Sequence, residues 1–142
     1  MRTIEQILRT ARNVAVVGLS DKPDRASHHV AEYLQQQGYH IIPVNPAYAG
    51  QQILGQTVHA TLQDAADMLA RKGQRIDVVD VFRKPDEVPP VAKDAIAVRA
   101  GVLWMQLGIE NRKAADLARA AGLEVVMDHC MLIEHRKLDA AS

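Results

Sequence analysis

The sequence predicts an α/β fold, a doubly wound, mainly parallel five-stranded sheet with helices on both faces. Three observations predict it. Strand-like and helix-like segments alternate strictly along the chain, and strands such as 14–17 and 102–105 are apolar at consecutive positions rather than at every second one. A strand that is apolar throughout needs both faces of its sheet covered, which parallel strands joined by helical crossovers provide. Finally, 142 residues without a linker, repeat or low-complexity stretch fit a single domain over 1–142, large enough to bury a core without disulfides or metal.

Each element has a local reason. Thr3 can cap a short helix running to about residue 11, and 14–17 is the first strand. Ser27 is expected to cap a second helix, whose Val30, Ala31 and Leu34 share one face and which Gly38 ends. The second strand, 39–44, stops at Asn45-Pro46. Residues 47–60 form the longest irregular stretch, turning at Gly50 and Gly55, with room for one short strand at most. Thr61 caps a helix to Arg71, and 76–82 reads as a buried strand. Residues 86–100 are helical, but Pro89-Pro90 are tolerated only in a first turn, which moves the start to about Val88. A fourth major strand (102–106), a helix (111–121) closed by Gly122, a fifth strand (123–127) and a short last helix (131–137) complete the chain.

Composition removes several functional classes. No apolar run approaches the ~20 residues of a membrane span, and the first residues lack the apolar core of a signal peptide. Cys130 is the single cysteine, so no intrachain disulfide can form, and a cytoplasmic setting is expected. Lysine and arginine total 17 against 17 aspartate and glutamate, which leaves no basic excess for nucleic acid. The adjacent His28 and His29 would point in different directions on a helix, so no metal site is expected.

In a doubly wound sheet the strand-to-helix loops share one edge, and ligands bind there where the strand order reverses. That edge gathers Gly18, Ser20, Lys22 and Arg25 after the first strand and Asn45 and Pro46 after the second. It also gathers Phe82, Arg83 and Pro85 after the third, Gln106 and Gly108 after the fourth, and Asp128, His129 and Cys130 after the fifth. Apolar strand, glycine and helix start are the parts of a phosphate site. The dinucleotide fingerprint G-x-G-x-x-G is nevertheless broken, because Ser20 and Pro23 stand where glycines would be. The second strand ends on Asn45 rather than on an acid that would take ribose hydroxyls, which suits a ligand whose adenosine carries an extra phosphate, NADP or coenzyme A. Lys22, Arg25 and Arg83 supply separated cations for such a ligand. Trp104 belongs to the core on this reading, while Gln106, at its strand's exit, faces the site.

These segments together resemble the small stand-alone coenzyme A-binding proteins, whose Rossmann-like domain is similar to that of the succinyl-CoA synthetase α subunit. The resemblance rests on Val14-Ala15-Val16-Val17-Gly18-Leu19-Ser20, Gly38-Tyr39-His40-Ile41-Ile42-Pro43-Val44-Asn45-Pro46 and Asp77-Val78-Val79-Asp80-Val81-Phe82-Arg83. Trp104-Met105-Gln106-Leu107-Gly108-Ile109 and Val126-Met127-Asp128-His129-Cys130 continue it. The resemblance implies that Gly18, Ser20, Lys22, Arg25 and Ser27 hold coenzyme A phosphates and that Val81, Phe82 and Arg83 flank the adenine. Leu19 and His129 depart from the family's usual Ala and Arg, so no role is carried to His129. Ligase activity is not carried over either, because this chain has no second domain for a phosphohistidine loop. The expectation is a coenzyme A or acyl-CoA binding module without evident catalytic residues, with Cys130 as a candidate contact for the thiol. The alternatives are an NADP-dependent oxidoreductase, or an acyl-CoA enzyme or regulatory subunit completed by a partner chain or a second copy.

Overall fold

The computed structural model describes residues 1–141 and turns the alternation into one parallel sheet between two helical layers. Helix α1 (Ile4–Thr10) leads to β1 (Asn13–Val17), and α2 (Ala26–Gln36) carries the chain to β2 (His40–Val44). A small hairpin, β3 (Gln52–Ile53) and β4 (Gln56–Thr57), precedes α3 (Leu62–Ala70). Then β5 (Val78–Val81), α4 (Val88–Ala97), β6 (Val102–Met105), α5 (Arg112–Ala120), β7 (Glu124–Val126) and α6 (Met131–Ala141) alternate. The sheet order is β2-β1-β5-β6-β7, with every neighbouring pair parallel. The chain steps from β1 outward to β2 and then crosses to the other side of β1. Strand order therefore reverses between β1 and β5, and the loops leaving those strands diverge there.

Successive residues of each strand feed opposite cores. Ala15, Val17, Val79, Val81, Leu103 and Met105 pack under α3, α4 and α5, whereas Val14, Val16, Val78, Val102 and Trp104 pack under α1, α2 and α6. Trp104 is fully buried, and its indole Nε1–H donates to the His129 carbonyl at 2.8 Å. The ring thus fills the second core and ties β6 to the turn that starts α6. No helix is long and apolar enough to cross a membrane, among the described residues.

Three expectations change in detail. Ser27 does not cap α2: the N-cap is Arg25, and Ser27 lies buried in the first turn, its Oγ accepting from the Ser20 N–H at 3.0 Å. The 47–60 stretch contains a 3₁₀ turn, Pro46–Tyr48, and two short strands rather than at most one. Its hairpin turns on Leu54 and Gly55, both at positive φ, and leucine at such a position carries no sequence signal for a tight turn. The last helix continues beyond Lys137 to Ala141. The 47–60 stretch covers an edge. His59 donates to the Pro43 carbonyl at 2.9 Å and accepts from the Asn45 N–H at 2.9 Å, which closes the outer side of β2. Pro43 is tolerated because β2 is an edge strand of the sheet.

One residue in β5 runs against its surroundings. Asp80 is fully buried between Val16 of β1 and Trp104 of β6, and burial pushes its carboxyl up to about 7, against the opposing hydrogen bond from Gln106. The folded protein therefore binds this proton more tightly than the unfolded chain does. The resulting stability is complete below the ordinary carboxyl range and is lost as pH rises toward 7.

Two outcomes are expected. Chemical denaturation followed across pH should show the unfolding free energy falling between about pH 4 and pH 7, by up to about 4 kcal/mol, with Asp80→Asn removing that slope. Trp104→Ala should cost about 3–5 kcal/mol in the same assay, through the void it leaves and the unpaired His129 carbonyl.

Candidate ligand-binding site

The loop after β1 is shaped by a close approach. Gly18 lies at φ +89°, and its N–H donates to the Val44 carbonyl at 2.9 Å. A Cβ at this position would sit 2.3 Å from the Phe82 carbonyl oxygen, so only glycine lets the ends of β1 and β5 come this near. Leu19 is fully buried and anchors the loop, while its carbonyl accepts from Asn45 Nδ2 at 3.1 Å. Ser20 then folds the chain back. Its N–H is held by Ser27 Oγ, and its own Oγ accepts from the Lys22 N–H at 3.1 Å.

This arrangement delivers the start of α2 to the crevice. Arg25 is extended as N-cap, offers no side-chain cap, and is followed by a first turn without an acidic residue. The first N–H groups of α2 thus have no side-chain cap, and the first turn carries no acid, the condition in which a helix start favours an anion.

The facing wall begins at the end of β5. The Phe82 N–H donates to the Val17 carbonyl at 2.9 Å, which extends the ladder one residue past the strand, and Phe82 and Arg83 are half-buried beyond it. Lys84 leads into the 3₁₀ turn Pro85–Glu87, which is held by Asn111 Nδ2 donating to the Pro85 carbonyl at 2.8 Å. Between the walls lies a crevice of about 580 Å³. Gly18, Ser20, Lys22, Arg25, Ala26, Ser27 and Tyr48 line one part, and Phe82, Arg83, Lys84, Pro85 and Ile109 line the other.

Its charge is positive. Lys22, Arg25, Arg83 and Lys84 all border the crevice, and among the described residues none of the four forms an ion pair. The nearby carboxylate of Asp21 is engaged by Tyr48. That hydrogen bond and the Asp21 charge together hold the Tyr48 phenol above its usual range. Among the described residues, no group of histidine, cysteine and acidic side chains is arranged to hold a metal ion.

Eight of the residues expected from the sequence meet in this crevice: Gly18, Ser20, Lys22, Arg25, Ser27, Phe82, Arg83 and Pro85. The others lie around it. Asn45 caps the 3₁₀ turn by accepting from the Ala47 N–H at 3.0 Å and, with Pro46 as the turn's first residue, sets the position of Tyr48. Val81 is fully buried beneath α3, α4 and α5. Gln106 is buried and donates its amide to the Asp80 carboxyl, so its side chain turns into the core instead of the crevice. Gly108, at φ +83°, donates to an Asp128 carboxylate oxygen at 2.6 Å. Cys130 is half-buried and packs against the core beneath α1, α2 and α6.

Sequence reasoning missed Tyr48, Lys84 and Ile109. Lys84 and Pro85 directly follow Arg83, and a basic pair ahead of a proline-started turn was available as a signal. Tyr48 had none, because only the fold brings the loop after β2 over the loop after β1.

Relatives identify this framework. A family model described as a CoA binding domain matches residues 12–136. The chain belongs to the CoA-binding domain family. The uncharacterized protein YneT of Bacillus subtilis (strain 168) is 38% identical over 132 residues, which span 93% of this chain and 91% of that protein. A Thermus thermophilus structure, cell-free ID.343, superposes with a TM-score of 0.87 at 32% identity, covering 96% of this chain and 99% of that one. A hypothetical protein from Pyrococcus horikoshii OT3 gives a TM-score of 0.85 at 37% identity over 95% of this chain and 89% of that one. This CoA-binding domain thus has the five-stranded, doubly wound arrangement expected from its sequence, shared along nearly its whole length with these proteins.

Gly18→Ala tests the close approach. The left-handed backbone alone disfavours alanine by about 1–2 kcal/mol, and the Phe82 carbonyl must also move. Thermal unfolding should therefore show a clear loss of stability, whereas Gly50→Ala, which has a similar φ of +85° but open space around it, should show only the backbone part.

Proposed function

We propose that this protein binds coenzyme A or an acyl-CoA in the crevice between the β1 and β5 loops. The observation that carries the reading is the uncapped start of α2, set among four cations that form no ion pair among the described residues. Backbone N–H groups of the first α2 turn, with Ser20, take the pyrophosphate. Lys22, Arg25, Arg83 and Lys84 take negative charge at more than one point along the ligand, which suits a nucleotide that is phosphorylated on both its pyrophosphate and its ribose. Phe82, Pro85 and Ile109 supply an apolar wall for the adenine. Membership of the CoA-binding domain family supports the same ligand. No catalytic residue is assigned, and recognition is the whole of the proposed mechanism.

Titration calorimetry tests it directly. Coenzyme A should bind and NADPH should fail to compete; tight NADPH binding that coenzyme A cannot displace would instead favour an oxidoreductase. Arg25→Ala should weaken coenzyme A by roughly tenfold, about 1.4 kcal/mol, and dephospho-coenzyme A by much less if Arg25 reads the ribose phosphate. Equal losses for the two ligands would move Arg25 to the pyrophosphate.

A further inference from the structure

Asp80 is the buried titratable group that the binding role leaves unexplained. It sits on β5, two residues before Phe82 and three before Arg83, which form one wall of the crevice. One carboxyl oxygen accepts from the Gln106 amide, and the other is buried with no hydrogen-bond partner. Gln106 belongs to the other support of that wall, because its carbonyl accepts from the N–H of Ile109 at 2.8 Å and Ile109 lines the crevice. The acid is thus joined to both segments that shape this side of the site.

Its surroundings leave the charged form without compensation. On the sheet its neighbours are Val16 and Trp104, with Gln106 beyond. Among the covering elements, α2 contributes His28 as a buried titratable group, the turn into α6 contributes His129 and Cys130, and α6 itself contributes Glu134. The charged residues Glu5 and Arg9 of α1 pair with each other at the surface. None of these groups acts on Asp80: burial raises its proton affinity, and only the Gln106 hydrogen bond opposes. A carboxylate in such a place is unfavourable, whereas a neutral carboxylic acid that accepts the single Gln106 hydrogen bond is tolerated.

We propose that Asp80 makes ligand binding proton-linked, so that the crevice takes up a proton at Asp80 as it takes up its anionic ligand. The inference rests on the coenzyme A reading of the crevice. At about 3.3 Å per strand residue, Arg83 lies about 10 Å along the chain from Asp80. A polyphosphate held by Arg83 and Lys84 brings like charge to the end of the strand that carries Asp80, so Asp80 is driven to its neutral form. No histidine lines the crevice to produce the same effect.

The test is calorimetry of coenzyme A binding in two buffers of different ionisation enthalpy, from about pH 6 to about pH 8.5, with wild type and Asp80→Asn. The ligand's own phosphate titrates in both proteins, so the difference between them carries the result. Wild type is expected to take up a substantial fraction of a proton near pH 7.5 that Asp80→Asn does not. It should also lose about tenfold in affinity across the range relative to the variant, one pKa unit of linkage. Equal proton uptake and equal slopes would overturn the proposal while leaving coenzyme A binding intact; absence of binding at every pH would overturn both. If Asp80→Asn fails to fold, infrared spectra of the wild type decide. A protonated-carboxyl band that persists at about pH 6, fades toward pH 8 and is restored there by coenzyme A supports the proposal, and its absence at pH 6 overturns it.

Discussion

Gly18 passes so close to the Phe82 carbonyl that no side chain fits between them, and the binding crevice depends on that contact. It fixes how far apart the β1 and β5 loops start, at the one place in the sheet where the chain order reverses. From there Ser20 turns the chain back onto Ser27, and the start of α2 is left facing outward with its N–H groups uncapped. On the other side, Phe82 continues the β5 ladder by one bond before Arg83 and Lys84 reach the same space. A wider separation would part the helix start from the Arg83 side, and either alone is a weaker anion site.

The supporting polar contacts distribute their work unevenly. Asn45 joins three segments, since its amide donates to the Leu19 carbonyl while its oxygen caps the turn that carries Tyr48. Tyr48 in turn lies beside Asp21, whose hydrogen-bonding contact and charge hold the phenol above its usual range. Trp104 joins the second core to the turn before α6 through one hydrogen bond. Asp80 and Gln106 do the opposite of these satisfied links, keeping a buried oxygen without a partner beneath the site. A strand that is otherwise apolar gains nothing in stability from that acid above neutral pH, which is why a role linked to the ligand accounts for it better than packing does.

Much of the fold was legible in the residues because it follows from short-range rules. Gly38 and Gly122 past helix ends, Thr61 as a cap, and Val88 as the start of a helix with two prolines in its first turn all stand where the sequence places them. Ser27 was misjudged because a serine near a helix start can either cap it or serve another loop's N–H, and local sequence does not separate the two. The β3–β4 hairpin was hidden by its Leu54 turn, since leucine at positive φ is held there by the surrounding fold, where Gln35 donates to its carbonyl. Gln106 lies at the predicted strand exit, yet its side chain points into the core because a buried acid on the neighbouring strand claims its amide.

The sequence by itself determined the parallel doubly wound sheet, the glycine turn after β1 and the chemical kind of residue on the binding edge. Those follow from apolar runs, turn residues and helix caps, which act over a few residues along the chain. Only the tertiary structure decided which edge residues meet. Sheet order brings Phe82 against Gly18 although they are distant in sequence, the β2 insertion folds Tyr48 over the first loop, and Asp80 finds Gln106 across two strands. Contacts of that range depend on strand neighbours and on the depth of burial, and neither quantity is written in the local order of the residues.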